Sequence, residues 1–177
     1  STICATATKF LVDYNGVTIK LYSSNVTTQG SGLNFYDATE HAPKMLRIAD
    51  FADWVIGFED KHPGKWMIGY PDSLDYSYVA HRDIGISALM NASSDNLNEN
   101  FGDKLDTYVY KMQTLNLYGA TQNQMFYVRI KNDADEYNYA KVIVLYKNGS
   151  ILQTDDAGTF IELVLSYQAK ANLPYAK

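Results

Sequence analysis

Lys141-Val142-Ile143-Val144-Leu145-Tyr146-Lys147 runs into Asn148-Gly149 and out through Ser150-Ile151-Leu152. A two-residue hairpin loop needs positive φ at both central positions so that its twist matches that of the strands, and Asn-Gly meets this need at the least steric cost. The same signal stands near the other end of the chain, where Lys9-Phe10-Leu11-Val12-Asp13-Tyr14 leads through Asn15-Gly16 to Val17-Thr18-Ile19-Lys20-Leu21-Tyr22. Two such turns between apolar stretches announce antiparallel β-structure at both ends.

Outward from these turns, period-two alternation marks further half-buried strands. Ile84, Ile86 and Ala88 alternate with smaller or polar neighbours, as do Phe126, Val128 and Ile130. Residues 159–167 are apolar on most positions of both faces, which predicts a central strand covered on both sides. Trp54-Val55-Ile56-Gly57-Phe58 resembles Trp66-Met67-Ile68-Gly69-Tyr70, with the turn dipeptide Pro63-Gly64 between them, so a third hairpin is expected here. Pro43 is placed well for a first helical turn, and a short helix over about 43–52 is a candidate. The Asn-, Ser- and Asp-rich residues 91–104 favour side-chain to backbone bonds over ladders and read as an exposed loop. The expected fold is all-β and mainly antiparallel: a single-domain β-sandwich or jelly-roll-like unit over residues 1–177, with at most one or two short helices.

At 177 residues the chain suffices for one domain that buries roughly 70% of its unfolded surface. Hydrophobic residues make up 46%, which argues against disorder, and no apolar run approaches the ~20 residues of a membrane-crossing helix. No membrane insertion is expected. Fifteen Lys and Arg against 20 Asp and Glu give a net charge of −5, with no basic stripe to neutralise phosphates, so no nucleic-acid partner is expected. Cys4 is the sole cysteine; no disulfide within the chain and no multi-thiolate metal site can form. No signal peptide is visible in residues 1–8, although a removed one leaves no trace.

Candidate chemistry fails on spacing. His81-Arg82-Asp83 has the letters of a kinase catalytic loop, but Ala88 stands where a metal-binding Asn is required. His41, His62 and His81 share no helix-face spacing for zinc. Asp133-Ala134-Asp135-Glu136 and Asp155-Asp156 offer loop carboxylates, yet without the Gly and Glu of a calcium loop they read as solvated turns. No Gly-x-Ser-x-Gly elbow occurs, and Cys4 has no helix start to lower its pKa. The reading is non-enzymatic: no catalytic residue, no metal and no cofactor.

The aromatics carry more. Fifteen Tyr stand against seven Phe and two Trp. The pairs Tyr76/Tyr78, Tyr108/Tyr110 and Tyr137/Tyr139 place both rings on one strand face, suited to sheet packing or to a partner. The final segment, with Leu173 and Tyr175 around ladder-breaking Pro174, is suited to lie across a neighbouring subunit. Tyr76, Tyr78, Tyr108, Tyr110, Leu173 and Tyr175 are therefore the interface candidates. The function expected is that of a structural or interaction protein: a subunit or accessory component of a larger assembly, either a virion or phage particle or an extracellular filament. Its partners would be further copies or other structural subunits, and its location virion or extracellular. The alternative is a carbohydrate-binding module or lectin in which Trp54, Trp66 and Tyr70 form a stacking platform for glycans.

Overall fold

The computed structural model describes residues 19–74, 83–92 and 114–172. Among them run strands β1 (Ile19–Tyr22), β2 (Gly30–Asp37), β3 (Ala42–Arg47), β4 (Ile56–Glu59), β5 (Met67–Gly69), β6 (Ile84–Ile86), β7 (Met90–Asn91), β8 (Leu115–Asn116), β9 (Gln124–Lys131), β10 (Tyr137–Val144), β11 (Leu152–Asp155) and β12 (Gly158–Gln168). Two short 3₁₀ turns, Ile48–Asp53 and Pro71–Leu74, complete the regular structure. A seven-stranded sheet has the order β1-β12-β10-β9-β6, with β11 also on β12 and β7 also on β9; a five-stranded sheet has the order β3-β2-β4-β5-β8. Every pairing is antiparallel. The fold is the all-β, sandwich-like architecture that the alternation predicts.

One core lies between the sheets. Leu21, Leu163, Val142, Phe126 and Ile86 from the larger sheet meet Leu33, Phe35, Ile56, Phe58 and Ile68 from the smaller one. β12 is an interior strand, with β1 along one edge and β10 along the other; the centre of the sheet, where its apolar character on both faces predicts it, is held by β10, and β12 lies next to the outer strand among the described residues. The outer face of the larger sheet is also buried, at Met125, Tyr127, Ser166 and Lys141; burial lowers the Lys141 pKa.

Asn148 and Gly149 take φ of 53° and 78°, and Lys147 and Ser150 exchange backbone hydrogen bonds of 2.8 and 3.0 Å across them. The turn is the one the dipeptide demands, but the strands beside it do not pair with each other. β10 lies along residues 163–168 of β12 and β11 along residues 158–161 of the same edge. They are two collinear halves of one line, because the 11 residues of β12 offer a longer ladder than β10 alone can fill. Asn15-Gly16 and the strand expected before it lie outside the described residues.

The third hairpin is present, with Phe58 opposite Ile68 and Glu59 opposite Met67 and Gly64 at φ 72° in its loop. The expected helix over about 43–52 is not. Ala42–Arg47 is a strand, followed by a 3₁₀ turn that bends at Asp50 (φ −106°, ψ 25°). Pro43 suits either setting locally; it is tolerated here because β3 is the outer strand of its sheet, where a missing N–H breaks no ladder.

Candidate functional site

At one end of the sandwich the inner face of the larger sheet changes character. On β12, Ile161, Leu163 and Leu165 are followed by Tyr167; on β10, Val142 and Ala140 are preceded by Asn138; beyond β9, Ile130 is followed by Asn132. Pairing keeps these positions on one face, since Tyr167 lies opposite Ala140 and Asn138 opposite Ile130. The smaller sheet supplies the facing wall. Its β2–β3 ladder shifts register between Asn34 and Asp37, and the consecutive rings of Phe35 and Tyr36 both stack on Tyr167. Their centroids lie 6.4 and 5.8 Å from it, each at an interplanar angle of 16°. Beside these rings is a cavity of about 250 Å³, also lined by Asn34, Asn132, Asn138, Lys131 and Asp133.

Most of the polar lining is already engaged. The Asn132 side-chain carbonyl accepts the backbone N–H groups of Ala134 at 2.9 Å and Glu136 at 3.0 Å, which folds the β9–β10 turn around it. Its amide donates to the Asn138 side-chain oxygen at 3.1 Å, and the Asn138 amide donates to the carbonyls of Gln168 and Ala169 at 3.1 and 3.2 Å. Lys131 pairs with Asp135 at 2.8 Å and reaches Asp83 at 3.9 Å. The Tyr36 hydroxyl lies 2.9 Å from His41 Nδ1, and His41 holds a positive φ of 55° in the β2–β3 turn.

Three lining groups are left available. The Tyr167 hydroxyl and the exposed Asp133 carboxylate have no hydrogen bond or ion pair among the described residues. The half-buried Asn34 amide has only a 3.5 Å contact from the Tyr36 N–H to its carbonyl, at the outer limit for a hydrogen bond. Burial, aided by the neighbouring Tyr36 phenol, pushes the Tyr167 hydroxyl up to about 12, so at neutral pH it is a protonated donor. A π-face bordered by a phenol, a carboxamide and a carboxylate suits a polar ring that carries both donors and acceptors.

The rings singled out in sequence are dispersed. Trp54 is 1% exposed and lies on the outer face of the smaller sheet, over Gly32 and Gly57, where added Cβ atoms would come within 2.0 and 2.2 Å of the ring. Its indole N–H donates to the Leu46 carbonyl at 3.2 Å. Tyr70 is buried in the inner core. Trp66 is half-buried at the opposite end of the sandwich from the cavity, edge-on to exposed Tyr118 with centroids 5.0 Å apart. Antiparallel register separates the two Trp, so Trp54, Trp66 and Tyr70 share no face and form no common platform. Tyr76, Tyr78, Tyr108, Tyr110, Leu173 and Tyr175 lie outside the described residues, as do Cys4 and His81. Tyr137 and Tyr139 sit on β10, with the Tyr137 hydroxyl donating to Asp83 at 3.0 Å.

The sequence reading missed Tyr36, Tyr167 and Asn34. One signal was present: Tyr167 is the first residue bearing a polar group in the inward series that begins at Ile161, and so marks where the core meets water. Among the described residues no group of three His, Cys, Asp or Glu side chains is placed to hold a metal ion. Comparison with protein-family models, curated proteins and solved structures gave no match.

Proposed function

We propose that this chain is a non-enzymatic recognition domain that holds a saccharide in the cavity at the end of the sandwich. The half-buried Tyr36 and Tyr167 rings, backed by buried Phe35 and bordered by the Tyr167 hydroxyl, the Asp133 carboxylate and the weakly engaged Asn34 amide, carry this reading. A sugar ring presents an apolar face to such rings and hydroxyls to such edges. The platform is therefore not the one the Trp residues suggest, although the ligand class is the same as in the alternative drawn from the sequence. A glycan array tests it. The wild-type chain should bind a defined group of glycans, and Tyr36→Ala, which removes one half-buried ring at the cavity, should weaken that binding on the order of tenfold. Near-ultraviolet circular dichroism should show the variant still folded. An array blank for the wild type would defeat the proposal.

The second reading, a structural subunit of a virion or an extracellular filament, draws support from Tyr118. This residue is 57% exposed on a turn whose backbone is anchored. Its N–H and that of Trp66 both donate to the Asn116 side-chain carbonyl at 3.0 Å, and Gly119 (φ 83°) closes the turn behind it. Tyrosine is enriched at protein interfaces. Solution mass at micromolar concentration, for the wild type and Tyr118→Ser, distinguishes this reading: ordered self-association lost in the variant supports it, and a monomer in both removes it.

A further inference from the structure

We infer that the cavity selects its saccharide by charge, preferring an amine-bearing sugar to the N-acetylated form and rejecting a uronic acid. This rests on the recognition reading above and adds the chemical class of the ligand. The cavity is a built site, with stacked rings on one wall and a fixed turn on the other. The two bonds accepted by Asn132 hold that turn, and Asp133 stands inside it as part of the cavity lining.

The charges are unevenly committed. Among the described residues Lys131 is the one cation of the lining, and Asp135 and Asp83 already take up its ammonium. Lys44 is opposite Asn34 across the β2–β3 ladder but is exposed and does not line the cavity. Among the described residues the Asp133 carboxylate has no such counter-charge. A carboxylate on the ligand would meet it with no cation free among the described residues to offset the repulsion, whereas an ammonium would meet it as an opposite charge. Asn34 and Tyr167 remain to bond the hydroxyls present in all three sugar classes, and charge is the difference between them to which Asp133 responds.

Three probes of one ring configuration test the inference: glucosamine, N-acetylglucosamine and glucuronic acid oligomers, titrated calorimetrically into the whole chain. The measurement is made at about pH 6, above the ordinary aspartate range and where the sugar amine is charged. The amine form should bind roughly two- to fivefold more tightly than the N-acetyl form, the scale of one solvent-exposed ion pair. Added salt should narrow the gap, and the uronate should not bind. In Asp133→Asn the ratio of amine to N-acetyl affinity should fall to about one. Equal affinities in the wild type, a ratio that survives Asp133→Asn, or uronate binding that matches the others would each overturn the inference and leave the recognition reading standing. Binding of none of the three overturns the inference too, while the glycan array decides the recognition reading separately.

Discussion

Gly32 and Gly57 face each other across β2 and β4, and Gly69 continues the row on β5. At the first two positions the missing side chain is what admits the Trp54 ring. Gly57→Ala should cost about 1–3 kcal/mol, the usual penalty of overpacking. Trp54→Ala should cost about 3–5 kcal/mol. In the double variant the two losses should add to much less than their sum, because the alanine then occupies space the ring has left; denaturant titration of the three proteins measures this. A second residue-scale prediction concerns Asp155. The Tyr22 hydroxyl donates to it at 2.6 Å, Lys20 at 3.1 Å and the Ala157 N–H at 2.9 Å. Led by the Tyr22 bond, these partners lower its pKa from 3.8 to about 2. A depressed carboxylate stabilises the fold above its unfolded pKa, and the contribution is lost as pH falls through the folded value. The stability gap between wild type and Asp155→Asn should therefore be constant at neutral pH and close between about pH 4 and pH 2. A gap unchanged at pH 2 would mean that the cluster does not act through this proton.

At the scale of elements, sequence legibility followed the range of the interaction. The β4–β5 hairpin was readable because both arms and the Pro63-Gly64 loop lie within 17 residues of chain (54–70). The Asn148-Gly149 turn was readable for the same reason, while its flanking strands were not, since what they pair with is β12 rather than each other. Residues 43–52 were misread because Pro43 followed by Leu46, Ile48, Ala49 and Phe51 satisfies a helix locally. Only the β2 ladder makes the first half a strand. Hydrogen exchange should rank the elements accordingly. The amides of β9, β10 and β12 within the paired stretches should exchange slowest, and those of β3 that point away from β2 should exchange at rates near those of loops.

For the whole molecule, the class of fold follows from alternation and turns, and the expectation of an antiparallel sandwich needs nothing beyond them. The cavity does not follow. Tyr167 meets Phe35 and Tyr36 across more than 130 positions of sequence (36 to 167), and the register shift in β2 that brings both rings to bear leaves no local mark. If the cavity binds a saccharide, the ligand should stabilise the molecule as a unit: at about 100 times its dissociation constant the gain is about 2.7 kcal/mol. Thermal scans should show this as a raised midpoint for the wild type and, for the tenfold weaker Tyr36→Ala at the same ligand concentration, about half that shift.

The collinear seating of β10 and β11 on a single edge of β12 also makes the intervening segment a place where the chain can be lengthened. Each strand is held by β12 and not by the other, so residues 145–151 form a detour whose ends are already anchored. A foreign peptide spliced between Asn148 and Gly149 would forfeit one tight turn and a slowly growing closure entropy. Both ladders would stay in register, leaving the opposite end of the molecule, with its ring-lined cavity, untouched by the cargo.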